Sequence, residues 1–507
     1  MSRAAGILLS ISSLPGEYGI GCFSKSAYDF VDWLKEAGQT YWQILPLGPT
    51  SYGDSPYQSF STFAGNPYYI SLEALINEGV LTKEECDAAD LGNKPNDISY
   101  HKLYDHRYPL LRLAYERSQI SENPDYIKFV NENDWWLSDY ALFMAVKDRF
   151  EGKPWTDWAE DIRLRYPNAM DYYRRELYFD IEFQKYLQFK FFEQWYQLKA
   201  YANSKGIQII GDIPIYVAMD SADAWAHPEL FQLDEKNVPI AVAGCPPDGF
   251  SATGQLWGNP LYNWDEMKKT GYKWWIDRIR AMTSVVDFVR IDHFRGFEAY
   301  WSVPAGEETA INGKWIPGPD HDLFNKIKEE LGDIPIIAED LGVITDGVAA
   351  LRDDFELPGM KVLQFAFDVN EEKAGALTNA FLPHEYGSNF VVYTGTHDNE
   401  TMQGWLNSAK PEERDLIRKY LGACTPGVTI TDEQLCPALI RAAFASVAKY
   451  AVIPMQDIFA IGSEGRMNVP STTGGINWQW RMTPEMFSAE KALWLKEMSV
   501  LYGRNKA

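Results

Sequence analysis

The sequence predicts an α/β fold: a (β/α)8 TIM barrel with helical and loop insertions on the C-terminal face of its strands and no separate C-terminal β-domain. Three observations point there. Short apolar or β-branched runs recur at 7–11, 41–47, 207–210, 288–291, 334–338, 361–365, 390–393 and 458–461, several ending in a polar or acidic residue. Amphipathic patterns such as 27–37, 272–282, 323–331 and 435–451 lie between many of them. No linker or low-complexity stretch cuts the chain. Continuous apolar runs are what strands buried on both faces require, and helices between them make parallel crossovers. Eight such strands suggest a closed barrel, with a doubly wound open sheet as the alternative that periodicity leaves open.

Taken in order, the runs 7–11 and 41–47 flank the first helical pattern. After the second strand, 50–205 reads as a mainly helical insertion, with charged and aromatic segments at 108–119, 139–150 and 176–204. The third strand, 207–210, is followed by a loop-rich insertion, 217–270, full of Gly, Pro and aromatic residues. Insertions that follow barrel strands fall on the carboxyl face and shape the active-site wall. Residues 1–507 are therefore expected to form one elaborated barrel. The pentapeptide Gly-Asp-Ile-Pro-Ile occurs at 211–215 and 332–336, but its first copy follows a strand and its second begins one. Only Asp212 then reaches the carboxyl face, while Asp333 reads as a turn residue.

Composition narrows the partners. Lys and Arg number 47 against 71 Asp and Glu, a formal charge of −24 with no basic face, which argues against nucleic acid or an anionic membrane surface. No apolar stretch is a membrane span, since 438–455 carries Arg441 and Lys449. The five scattered cysteines form no Cys-x-x-Cys pair, as expected of reduced thiols in a cytoplasmic protein. The chain is rich in aromatic residues, with 18 Trp, 29 Tyr and 26 Phe, and many sit beside Gly, Asn, Asp or Pro. Aromatic rings in polar surroundings suit the flat apolar faces of sugars or bases.

Three acids stand just past strand runs. Asp292 ends Val289-Arg290-Ile291-Asp292, Glu339 ends Ile336-Ile337-Ala338-Glu339, and Asp398 follows Tyr393-Thr394-Gly395-Thr396-His397. In a barrel all three converge on the catalytic face. Two facing carboxyl groups can act on an acetal if one stays ionised as nucleophile and the other holds a proton for the leaving oxygen. Arg290, two residues before Asp292, lies on the same side of the strand and would keep that carboxylate charged. Glu339 follows an apolar run with no basic neighbour, so burial would raise its pKa toward that of a proton donor. His293, His397 and the acids are formal metal-ligand candidates, but no His-Glu-x-x-His pair or similar motif is present.

These segments, with 52–58 (Tyr-Gly-Asp-Ser-Pro-Tyr-Gln), 211–217 (Gly-Asp-Ile-Pro-Ile-Tyr-Val), 246–251 (Pro-Pro-Asp-Gly-Phe-Ser), 254–260 (Gly-Gln-Leu-Trp-Gly-Asn-Pro) and 461–468 (Ile-Gly-Ser-Glu-Gly-Arg-Met-Asn), resemble the 4-α-glucanotransferases of glycoside hydrolase family 77, the amylomaltases or disproportionating enzymes of the α-amylase clan. The resemblance runs over nearly the whole chain. It implies Asp292 as nucleophile, Glu339 as acid/base and Asp398 as the third carboxylate, with Asp212, Arg290 and His397 around them. Tyr57, Phe250, Trp257, Asn259 and Asn468 fall in the matching motifs and are the candidate glucan contacts. The implied partners are α-1,4-glucans, maltooligosaccharides and glucose as donor or acceptor, with no cofactor or metal. One departure stands out: Gly249 occupies a position where the family pattern has an aromatic residue. It bears on the ratio of transfer to hydrolysis, so an α-1,4-glucan hydrolase of the same clan is one alternative. A non-catalytic glucan-binding protein is the other, and an intact nucleophile and acid speak against it.

Overall fold

The computed structural model describes residues 3–92, 94–247, 251–342, 344–367 and 379–505. Its strands among these residues are β1 (Ala4–Leu8), β2 (Tyr41–Gln43), β3 (Gln208–Ile213), β4 (Ala241–Cys245), β5 (Gln255–Pro260), β6 (Phe288–Ile291), β7 (Ala299–Pro304), β8 (Lys314–Pro317), β9 (Ile336–Ala338), β10 (Gly359–Val362), β11 (Phe390–Tyr393) and β12 (Tyr450–Pro454). Eight of them form one parallel sheet in the order β10-β11-β12-β1-β2-β3-β6-β9. The Ala338 N–H donates to the Pro358 carbonyl at 2.9 Å, linking the two outermost strands and bringing the sheet round into a nearly closed barrel.

The barrel strands are short and buried, which is why they read as apolar runs rather than as alternating patterns. Gly6 on β1 lies so close to β2 that a Cβ there would come within 2.5 Å of the Tyr41 Cβ. The helix Lys25–Glu36 buries Phe30, Val31 and Leu34 on the barrel side, and Phe30 meets Trp42 of β2 edge-on at 5.0 Å. The long helix Pro124–Arg149 packs along Tyr178–Ser204 through pairs such as Trp136 with Phe192. Tyr178–Ser204 leads directly into β3 and touches it, so this last helix of the stretch is also the barrel's own crossover between β2 and β3.

The eighth strand differs from the expectation. It is β12, pairing Ala4 with Tyr450 through Leu8 with Pro454, whereas 458–461 begins at the end of a helical turn, Met455–Ile458. The sequence pattern runs a helix through 435–451, but the helix Asp432–Ala445 stops at Ser446. The carbonyls at and just past its end are taken by arginines far away in sequence. Arg504 donates to the carbonyls of Phe444, Ser446 and Ala448, and Arg3 to that of Phe444. No local pattern encodes that stop. Smaller shifts occur elsewhere: β1 begins three residues before the predicted run, and β10 turns into a 3-10 segment, Leu363–Phe367.

The stretch 217–270 carries β4 and β5, which join β7 and β8 in a four-stranded antiparallel sheet ordered β5-β4-β7-β8. The segments after β3 and after β6 thus build one wall together. No described residue after β12 lies in a strand, and the final helix, Ala489–Leu501, packs back on Lys25–Glu36. No helix among the described residues is long and apolar enough to cross a membrane.

Candidate active site

The carboxyl ends of β3, β6, β9 and β11 bring the predicted charges together. Asp212 and Arg290 are register partners on neighbouring strands. The Arg290 Nη1 donates to both Asp212 oxygens at 2.7 and 2.6 Å, its Nη2 to Asp292 Oδ1 at 2.9 Å, and its Nε to the Met360 sulfur at 3.4 Å. Arg290 is buried and every guanidinium nitrogen is engaged, so its pKa is driven further up despite desolvation. One arginine therefore neutralises a fully buried carboxylate and grips a second, half-buried one that faces the cleft.

Glu339 sits across from Asp292 and, among the described residues, is gripped only by backbone. The His293 N–H donates to Glu339 Oε2 at 2.7 Å and the Leu341 N–H to Oε1 at 2.8 Å. To present that N–H, His293 adopts φ +50°, a left-handed conformation that a non-glycine residue holds at some cost. Burial first, and the Asp292 charge second, push the Glu339 carboxyl up to about 7, against the pull of Arg290 and the two N–H groups. The His293 imidazole is pushed down to about 4 by burial and stays neutral at pH 7, with Trp257 edge-on to it at 4.7 Å.

Asp398 lies in a third environment. Desolvation would raise its carboxyl, but the His397 charge, a His397 hydrogen bond and Asn468 outweigh it and hold it well below the usual range. Asn468 Nδ2 donates to Asp398 Oδ1 at 2.6 Å, and His397 Nε2 lies 3.4 Å from Oδ2. Burial lowers the His397 pKa and Asp398 raises it, with a net rise. Tyr57 stacks on the His397 ring at 4.9 Å and donates its hydroxyl to Asp212 Oδ2 at 2.7 Å. Trp478 is buried behind both, 5.9 Å from Tyr57 and 6.0 Å from His397.

Among the remaining candidates, Trp257 stands on β5 beside His293 and is half-buried. Asn259 is buried, accepting from Gln58 Nε2 at 3.2 Å and donating to the Val217 carbonyl at 2.8 Å, so its amide ties 52–58 to the wall. Phe250 and Gly249 lie outside the described residues. Two residues of the site escaped the sequence reading. Arg466 donates to the Asp398 carbonyl at 3.2 Å. Asp457 accepts from the Thr394 hydroxyl at 2.5 Å and from the Met402 N–H at 2.8 Å, gripping both ends of the turn that carries His397 and Asp398. Asp457 follows β12 at the same face, and placing the eighth strand correctly would have drawn attention to it. No three His, Cys, Asp or Glu side chains among the described residues are grouped to hold a metal ion.

A barrel whose carboxyl face sets an arginine-gripped aspartate against a glutamate poised to carry a proton defines an enzyme of glycosidic-bond chemistry. Comparison with known proteins makes this particular. The family model described as 4-alpha-glucanotransferase, glycoside hydrolase family 77, matches residues 9–487, and the chain belongs to that family. It is 47% identical over 499 residues to the 4-alpha-glucanotransferase of Clostridium butyricum, covering 98% of this chain and 100% of the relative. The Thermus thermophilus 4-alpha-glucanotransferase is 48% identical, with 98% of each chain covered. The solved structure of amylomaltase from Streptococcus agalactiae in complex with acarbose superposes with a TM-score of 0.94 at 41% identity, covering 99% of this chain and 100% of that one.

Proposed function

We propose that this enzyme disproportionates α-1,4-glucans in the cytoplasm, passing glucan segments between maltooligosaccharides, longer starch chains and glucose with retention of configuration. The Asp292 carboxylate attacks C1 of the donor sugar while Glu339 gives its proton to the glycosidic oxygen. The C1–O bond breaks, the shortened chain leaves with a free 4-hydroxyl, and a glycosyl ester remains on Asp292. Glu339, now ionised, takes the proton of an incoming 4-hydroxyl, whose oxygen attacks C1 and releases the Asp292 carboxylate. Asp398, kept ionised by His397 and Asn468, accepts hydrogen bonds from hydroxyls of the sugar being transferred. Arg290 and Asp212 hold the nucleophile from behind. Trp257, Tyr57 and Asn259 are the expected cleft wall, the first two by direct contact with glucan.

The observation that carries this reading is the asymmetry of the two carboxyls. Asp292 is bound to a cation at 2.9 Å, and Glu339, gripped by two N–H groups, is pushed up to about 7. Environments that drive two acids apart assign nucleophile and proton donor. Transfer rather than hydrolysis requires the acceptor to be held against the ester at high effective concentration, a role we assign to the β4–β5 wall, a reading supported by Trp257 lying against His293. The cytoplasmic assignment is supported by five cysteines that are scattered along the chain and form no Cys-x-x-Cys pair. The reading is tested with Asp292→Asn and Glu339→Gln on maltotriose. Asp292→Asn should abolish the product ladder and Glu339→Gln should reduce it to a small residue, and full transfer activity in Asp292→Asn would overturn the assignment.

A further inference from the structure

A second cavity, of about 310 Å³, opens between the helix Pro124–Arg149, the segment around Ser61 and Phe63, and the helix Lys273–Val285. Its apolar surface is mainly aromatic, with Trp135, Trp136, Phe63 and Trp274 beside Leu230. Phe63 sits edge-on to Trp135 at 4.8 Å and to Trp274 at 6.2 Å. Trp135 is 52% exposed, a large indole face left in water that no packing requirement explains. Around these rings stand Asp139, Asp223, Glu229 and Asp277, against His227 and Lys273 as the only cationic groups lining it among the described residues. The lysine is spent on Asp277 and the imidazole on Glu229.

The volume is that of a small-ligand site. Its chemistry selects among ligands. An anion would meet more carboxylates than cations, in a chain of net charge −24. A wholly apolar ligand or segment would leave the acceptor-rich rim uncovered. A neutral ligand with flat C–H faces and many hydroxyl donors matches both parts, since rings stack on the faces and carboxylate oxygens with spare lone pairs accept from the hydroxyls.

We propose that this cavity is an accessory binding site for α-glucan chains, separate from the catalytic cleft, with Trp135 as its platform. The identity of the glucan rests on the proposed function. Ser61 and Phe63 also line the cavity bounded by Tyr57 and Asp212, so the chain segment that carries Tyr57 in the catalytic ring stack continues into the wall of the second site. A long glucan held there gains local concentration at the cleft, whereas a trisaccharide gains nothing.

The test is Trp135→Ala, an exposed position whose truncation leaves the core intact, with Thr270→Trp as a second variant that blocks the rim. Maltotriose disproportionation should stay within about twofold of the unaltered chain. Retention in a native gel containing amylopectin should fall, and the KM for long amylose as donor should rise, each by roughly three- to tenfold, the worth of one stacked ring. Unchanged retention and amylose KM in both folded variants would overturn the proposal. A parent chain that leaves maltotriose untouched would sink the proposed function instead, while amylopectin retention and its loss in Trp135→Ala would still decide the accessory site.

Discussion

Arg290 is the residue on which the electrostatics of the cleft turn, and replacing it separates stability from catalysis. Arg290→Met removes the partner of Asp212, a carboxylate with no exposed side-chain surface, and frees Asp292. Breaking a buried pair by deleting one partner costs about 3–5 kcal/mol, because the other charge stays behind. At an unfolding entropy of about 2.1 cal/mol/K per residue, the 507 residues give roughly 1.1 kcal/mol/K, so the thermal midpoint should fall by about 3–5 °C. Activity should fall by about a hundredfold or more, the scale of losing one preorganised charge partner in an active site. The double variant Asp212→Asn/Arg290→Met removes the stranded charge and should recover most of the midpoint but none of the activity. The assays are differential scanning calorimetry and glucose release from maltotriose. A single variant as stable as the parent, or a double variant that regains activity, would refute the reasoning.

Further predictions concern the other groups. Glu339 must carry a proton to start the reaction, so glycosyl transfer from ordinary donors should decline as pH rises through about 7; in Glu339→Gln that alkaline limb should vanish, and residual activity should survive best with a donor such as a maltosyl fluoride, whose leaving group needs no proton. His397 is raised by Asp398 after burial has lowered it, so its contribution to stability is full below its unfolded value of about 6.5 and is lost as pH climbs through the raised folded value. Melting curves of His397→Asn across pH 6 to 9 should lack that decline, and a parallel decline in the variant would contradict the pairing. Asp457→Ala should lower kcat by about tenfold with little change in KM, since it loosens the turn bearing His397 and Asp398 without touching glucan; a change confined to KM would count against the clamp.

Most of this architecture was legible because barrel strands buried on both faces leave continuous apolar runs. The acids at their ends were legible because they interrupt those runs, as Asp292 does after Val289-Arg290-Ile291. What stayed hidden depends on contacts far apart in sequence. The helix ending at Ala445 is stopped by Arg504 and Arg3, so the start of β12 fell into a helical pattern, the eighth strand was read at 458–461, and Asp457 was not recognised as an acid just past a strand. The wall strands β4 and β5 looked like loop because β5 pairs only with β4, and β4 with β7, which lies beyond the next barrel strand. Arg290 was read correctly as the partner of Asp292, but its stronger grip on Asp212 comes from the neighbouring strand and has no local signature. The left-handed His293, whose N–H holds the proton donor, was seen only as a formal metal ligand.

The central claim is that the glycosyl ester on Asp292 is passed to a sugar hydroxyl rather than to water. Incubating the purified chain with maltotriose alone, while following the oligosaccharide ladder and total reducing ends together, tests it most directly. Glucose and a ladder of longer maltooligosaccharides should appear at a constant number of reducing ends. A steadily rising number would mean that water wins and that the chain hydrolyses glucan, and intact maltotriose would contradict catalysis altogether.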